Sequence, residues 1–205
     1  MSSKGLLLFV SALLLASGCK KQHHQLSIAL ISLGPVPTRD MTEARQAIED
    51  QFDAHVYVVS KPVTLPDSAY YAPRKRYKAE KLISFLDDGL SIHSDRIIGI
   101  TTSDISTAYR GRSDWGVIGS SEGRAAVVST YRLGGKDVPQ NLKDSRLRKN
   151  VLHELGHTFG LDHCPNTKCL MQDGQGGILT TDRADEAFCV ECAKKMGHVL
   201  KVAHG

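Results

Sequence analysis

From residue 26 onward, short apolar runs alternate with amphipathic stretches. Leu26 to Leu33 (LSIALISL) is a mostly apolar run of strand length and predicts a buried first strand. Gly34-Pro35-Val36-Pro37 breaks it. Met41, Ala44, Ala47, Ile48 and Phe52 then recur at helical spacing, predicting a helix through about Phe52 capped by Thr38 or Asp40. His55 to Ser60 (HVYVVS) predicts a second strand, with His55 at a strand edge rather than on a metal. Lys61 to Ala72, with Pro62 and Pro66, reads as a loop. Pro73 suits the first position of a helix running to Asp88 and stopped by Gly89. Asp95 to Thr102 (DRIIGITT) predicts a central strand, and Ser103 to Arg112 is polar and loop-like. Trp115 to Ser120 (WGVIGS) and Ala125 to Tyr131 (AAVVSTY) predict two more strands around a turn at Gly123-Arg124. A long helix follows from about Leu142 to Phe159, with Leu147, Val151, Leu152, Leu155 and Phe159 marking its buried side. Asp182 to Met196 predicts a last helix. The order is β-α-β-α-β-β-β-α with a loop-rich C-terminal piece, an α+β chain of single-domain size with α/β-like alternation.

The first residues break this pattern and belong to no fold. Lys4 precedes an apolar stretch, Gly5 to Leu15, too short to span a bilayer as a helix. Leu15-Ala16-Ser17-Gly18-Cys19 resembles a bacterial lipobox. On that reading residues 1–18 are a signal peptide, Cys19 is lipidated, and residues 19–25 form a tether. The protein is then expected at the bacterial cell envelope, anchored to a membrane and facing periplasm or exterior. A plain secretory signal with an incidental Cys19 is the alternative. Net charge is +4, too weakly basic to argue for a nucleic-acid partner. The cluster Arg74, Lys75, Arg76 and Lys78 reads as a solvated helix face, or as a contact for anionic headgroups beside the anchor. A monomer is expected.

The chemistry is concentrated in His153-Glu154-Leu155-Gly156-His157-Thr158-Phe159-Gly160-Leu161-Asp162-His163. Residues four apart share a helix face, so His153 and His157 reach one metal ion, and Glu154 projects close enough to touch a water on it. Gly160 lets the chain leave the helix and turn, returning His163 as a third ligand. Three imidazoles and one open position suit a catalytic zinc. Glu154 would take the proton as water attacks a peptide carbonyl and return it to the leaving amine. Cys164 and Cys169 follow, then Met171, Cys189 and Cys192. Two close cysteine pairs favour a structural zinc, and in an oxidising envelope two disulfides are the rival.

Together these residues, 153 to 192, resemble the archaemetzincin family of zinc metallopeptidases. The resemblance implies that His153, His157 and His163 bind the catalytic zinc and that Glu154 is the general base. It further implies that Cys164, Cys169, Cys189 and Cys192 form a second zinc site and that Met171 is the Met-turn methionine beneath the metal. Two zinc ions per chain are then expected. The implied fold is metzincin-like: a twisted mixed sheet with helices and the active-site helix over residues 26–160, then a small zinc-stapled subdomain over 161–205. In such folds one edge strand lies along the cleft and binds extended peptide; Trp115 to Ser120 is the candidate. Some metzincins carry a tyrosine just after the Met-turn, whereas here Met171 is followed by Gln172, Asp173 and Gly174, which leaves a second oxyanion donor unassigned. The expectation is a zinc endo- or aminopeptidase; the alternative is a membrane-tethered zinc- or peptide-binding lipoprotein with little catalysis.

Overall fold

A computed structural model describes residues 25–174 and 177–201. The expected signal peptide, Cys19 and nearly all of the tether lie outside the described residues. The chain builds β1 (Leu26–Leu33), α1 (Thr38–Gln51), β2 (Ala54–Val58), β3 (Tyr70–Tyr71), β4 (Arg76–Lys78), α2 (Ala79–Asp87), β5 (Arg96–Thr101), β6 (Ile105–Tyr109), β7 (Arg112–Val117), β8 (Gly119–Glu122), β9 (Ala125–Ser129), α3 (Gln140–Thr158), α4 (Ile178–Arg183) and α5 (Val190–Met196). Five strands form one sheet in the order β2-β1-β5-β9-β8; all neighbours are parallel except β8, which runs antiparallel along β9 at the edge.

The three inner strands are apolar on both faces because helices cover both. Ile28, Leu30, Ile98, Ile100, Ala126 and Val128 point toward α1 and α3. Ala29, Ile31, Leu33, Ile97, Ala125 and Val127 point toward α2. The first of these cores also takes in Leu161, Leu170, Met171 and Met196, so the C-terminal piece is packed onto the same apolar mass as the sheet. No described helix is long and apolar enough to cross a membrane.

Several sequence expectations change here. The helix expected from Pro73 to Asp88 begins only at Ala79; Pro73 sits in a 3₁₀ turn, and Arg76–Lys78 form a strand beside β6. Tertiary pairing overrides the local helical preference, because Arg76 and Lys78 find carboxylates there. Arg76 lies 3.1 Å from Asp104 and 3.6 Å from Asp114, and Lys78 lies 3.5 Å from Asp114. Their side chains are only 15% and 12% exposed, so they are not a solvated or lipid-facing surface. The segment expected to be loop, Ser103 to Arg112, instead supplies β6 and a tight turn at Arg110-Gly111, both with positive φ, as two-residue hairpins require. The strand expected over Trp115–Ser120 divides. Trp115 to Val117 end β7, in a second sheet ordered β3-β4-β6-β7, whereas Gly119 and Ser120 begin β8 in the main sheet. The helix α1 has no side-chain cap; Thr38 is already helical and Pro37 precedes it.

The last expected helix, Asp182–Met196, is two short ones. Between them residues 184–189 run as irregular, bent chain, tied to the preceding loop by Asp185 N–H donating to the Lys168 carbonyl and Leu170 N–H to the Ala187 carbonyl. The start of this piece is pinned to α3 by Arg146. Its guanidinium forks onto both Asp182 oxygens at 2.7 Å and donates to the Leu133 carbonyl. Arg146 is 9% exposed, so Arg146→Met is expected to lower unfolding free energy by about 2–3 kcal/mol in urea titrations. Arg146 also holds the Asp182 carboxyl below the usual carboxylate range. A depressed pKa contributes stability above the unfolded-state value and loses it as pH falls through the folded one. The variant should therefore lose less stability than the wild type between neutral and acid pH.

Candidate metal centres and cleft

The helix α3 presents His153, Glu154 and His157 at one end of the sheet. Glu154 is buried, and the two imidazoles are half-buried. His153 Nδ1 lies 2.8 Å from the Leu170 carbonyl and His157 Nδ1 lies 2.7 Å from the Leu161 carbonyl. A carbonyl only accepts, so each Nδ1 carries the proton and each Nε2 offers a lone pair. The two Nε2 atoms face each other at 3.1 Å. Two lone pairs held that close repel unless a cation lies between them. Burial holds both imidazoles below the usual histidine pKa, which keeps them in the neutral, ligating form.

Gly160, at φ +86°, ends the helix, and His163 returns so that ligand nitrogens of all three histidines lie within 4.8 Å of one another. Zinc–nitrogen bonds of about 2.0–2.1 Å set tetrahedral ligand separations of roughly 3.4 Å. The imidazole set therefore fits zinc after small adjustment. Beneath it Met171 is fully buried, and a Cβ on Gly156 would meet Met171 Sδ at 2.5 Å. The glycine inside the histidine motif is thus the seat of the methionine, a role that spacing alone did not signal.

Glu154 is the next residue round. Burial pushes its carboxyl above the usual range, opposed by the nearby His157 and by a hydrogen bond from Ser121. Ser121 Oγ donates to Glu154 Oε2 at 2.8 Å. Ser121 lies on β8, so the edge strand of the main sheet forms the wall opposite α3. Between them a cleft of about 440 Å³ opens, lined by Gly119, Ser120, Ser121 and the three histidines. Sequence reading did not find Ser121; the second of two adjacent serines in a short strand carries no pattern. After the methionine, Asp173 Oδ2 lies 3.9 Å from His163 Nδ1, and Gln172 Oε1 is buried without a hydrogen-bond partner.

The four C-terminal cysteines also converge, all Sγ atoms lying within 4.8 Å of one another. Cys164 and Cys189 sulfurs are 3.8 Å apart, and Cys169 and Cys192 are 3.7 Å apart. All four are free thiols. A zinc–sulfur bond of about 2.3 Å gives a tetrahedral edge of roughly 3.8 Å. Backbone N–H groups of Met171 and Cys189 approach Cys169 Sγ at 3.4 Å, the contacts a thiolate accepts. Without a cation, burial pushes the Cys169 and Cys192 thiols up, whereas the Cys192 backbone N–H at the start of α5 draws the Cys189 thiol down. The donor set and spacing suit a closed metal site. His55 and His198 take no part in either cluster; His55 is exposed on the edge strand β2.

Comparison with known proteins agrees with this layout. The model of peptidase family M54 matches residues 58–198. An archaemetzincin of Halobacterium salinarum is 33% identical over 174 residues, covering 82% of this chain and 97% of the relative. One from Methanopyrus kandleri is 36% identical over 164 residues, 76% of this chain and 89% of the relative. The crystal structure of a Methanopyrus kandleri archaemetzincin superposes with a TM-score of 0.72 at 31% identity, covering 85% of this chain and 95% of that one. The Archaeoglobus fulgidus archaemetzincin, solved with malonate, gives 0.70 at 29% identity, covering 83% and 99%.

Proposed function

The chain belongs to peptidase family M54, the archaemetzincins, and is a zinc-dependent peptidase; on that premise we propose that Glu154 is its general base and that an extended peptide binds along β8. The observation that carries this is the opposition, across one cleft, of a buried carboxylate and two Nδ1-anchored imidazoles against an edge strand. His153, His157 and His163 would hold the zinc, which when bound would supply a Lewis acid able to acidify a water and polarise a carbonyl. Glu154, desolvated behind β8, is a stronger base than a carboxylate in water; it accepts the water's proton and returns it to the departing amine. The sheet leaves the far edge of β8 free of a strand partner among the described residues, and an extended backbone can fill it.

The four cysteines form the second, structural zinc site in this reading. The protein starting after Cys19, purified without chelator, is expected to carry about two zinc ions, one readily removed and one resistant. It should cleave unstructured peptides until the labile ion is stripped. One ion with four oxidised cysteines would replace the second zinc by disulfides. Bound zinc with no cleavage of any peptide would favour the zinc- or peptide-binding lipoprotein.

Location follows from the N-terminal sequence alone. Lipidation at Cys19 would tether the enzyme to a membrane of the bacterial envelope. Cells fed a clickable fatty acid should label the wild-type protein, and Cys19→Ser should abolish the label; equal labelling of both would remove the anchor.

A further inference from the structure

The seat of Glu154 is built from two positions of the edge strand. β8 pairs antiparallel with β9, with Gly119 opposite Val128 and Ser121 opposite Ala126. Residues directly opposite in such a pair share a face, and Val128 and Ala126 lie in the core under α3. Gly119 and Ser121 therefore both face α3, and the Glu154 carboxylate reaches up between them. The two oxygens meet different surroundings. Ser121 Oγ donates to Oε2 at 2.8 Å. Oε1 occupies the space over Gly119, where an added Cβ would stand 2.5 Å from Oε1 and 2.6 Å from Cγ.

We propose that Ser121 is a positioning residue that holds Oε2, leaving Oε1 as the oxygen that exchanges the proton with the attacking water, and that Gly119 keeps the room Oε1 needs. The proposal rests on Glu154 being the general base. A carboxylate on a long side chain turns freely about its last bond, and a turned carboxylate misses its proton. Fixing one oxygen settles the orientation of the other before substrate arrives. The hydroxyl donates without adding charge. Because Ser121 belongs to the strand proposed to receive substrate, base and peptide are set in one register by the β8–β9 ladder.

The test uses the zinc-loaded protein for kinetics and zinc-free crystals for geometry. Ser121→Ala is expected to lower kcat roughly ten- to a hundredfold with KM and zinc content unchanged. In its crystals the Glu154 carboxylate should leave the place it holds in the wild type. Ser121→Thr, which keeps the hydroxyl and suits a strand, should restore both kcat and carboxylate position. Gly119→Ala should displace Oε1 and lower kcat while leaving the Ser121 hydroxyl in place. Wild-type kcat in Ser121→Ala beside an inactive Glu154→Gln overturns the positioning role and leaves the base assignment standing. Full activity in Glu154→Gln overturns the base assignment itself. An unmoved carboxylate in Ser121→Ala crystals overturns the proposal whatever the kinetics. So does a loss of kcat that threonine fails to restore and that travels with lost zinc or a lowered Tm, because that outcome marks a merely structural serine.

Discussion

Glu154→Gln is expected to lower kcat by about a thousandfold while zinc stays bound and the fold stays intact. The amide matches the carboxylate in shape, so the Ser121 contact and the cleft survive. It cannot accept the water's proton, and that loss falls on the chemical step rather than on binding, so KM should change little. The stability change has a definite sign. Burial holds the Glu154 carboxyl above its usual range, so the zinc-free folded chain resists its ionisation. A raised acid pKa gives a contribution that is lost as pH rises from the unfolded-state value through the folded one. At neutral pH the charge thus works against folding, and a neutral amide removes that penalty. The zinc-free variant should melt at or above the wild-type temperature. Activity within a few fold of wild type would falsify the assignment of the base; a lowered Tm with lost zinc would show that the substitution acts through the fold.

Cys192→Ser carries the largest expected effect on stability. Cys192 is 5% exposed and sits in the main core cluster beside Cys169. The piece it closes owns few large side chains: α4 has no buried residue, and α5 buries only Cys192 and Met196. Its hold on the core comes mainly from Leu161, Leu170, Met171 and Met196, so metal bound at the cysteines would add a large share of its folding free energy. Replacing one thiolate by a hard, neutral hydroxyl should reduce the zinc content by about one ion per chain and lower Tm by more than roughly 10 °C. Metal analysis with calorimetry decides it. A stable variant that still carries both ions would dissociate the cysteines from metal binding.

The histidine and cysteine clusters were legible because the chemistry of metal binding fixes such spacings. An i, i+4 pair on a helix, a glycine that lets the chain leave it, and a returning third histidine are local geometry, and the structure places them together. The alternating apolar strands were legible for the same reason, since β1, β5 and β9 need two apolar faces. What escaped depended on contacts made far along the chain. Arg76 and Lys78 look helical and solvated until Asp104 and Asp114 are brought opposite them by the β6–β7 hairpin. Trp115 to Ser120 reads as one strand, yet a change of sheet falls at Ile118, between two glycine-containing halves. Ser121 became visible only when β8 was laid against α3. Gly156 likewise carries no signal until Met171 comes up beneath the helix.

The loop from His163 to Met171 serves two masters. Its first residue, His163, belongs to the histidine cluster, the next, Cys164, to the cysteine cluster, and near its far end Leu170 holds the His153 ring in place through its carbonyl. Cys164 N–H closes the loop by donating to the Met171 carbonyl at 2.8 Å. An ion at the four thiolates would therefore pre-set the imidazole cage, and by reciprocity an ion in the cage would tighten the thiolates. The two clusters are therefore not independent: a change that loosens the loop at either end should weaken metal affinity at both.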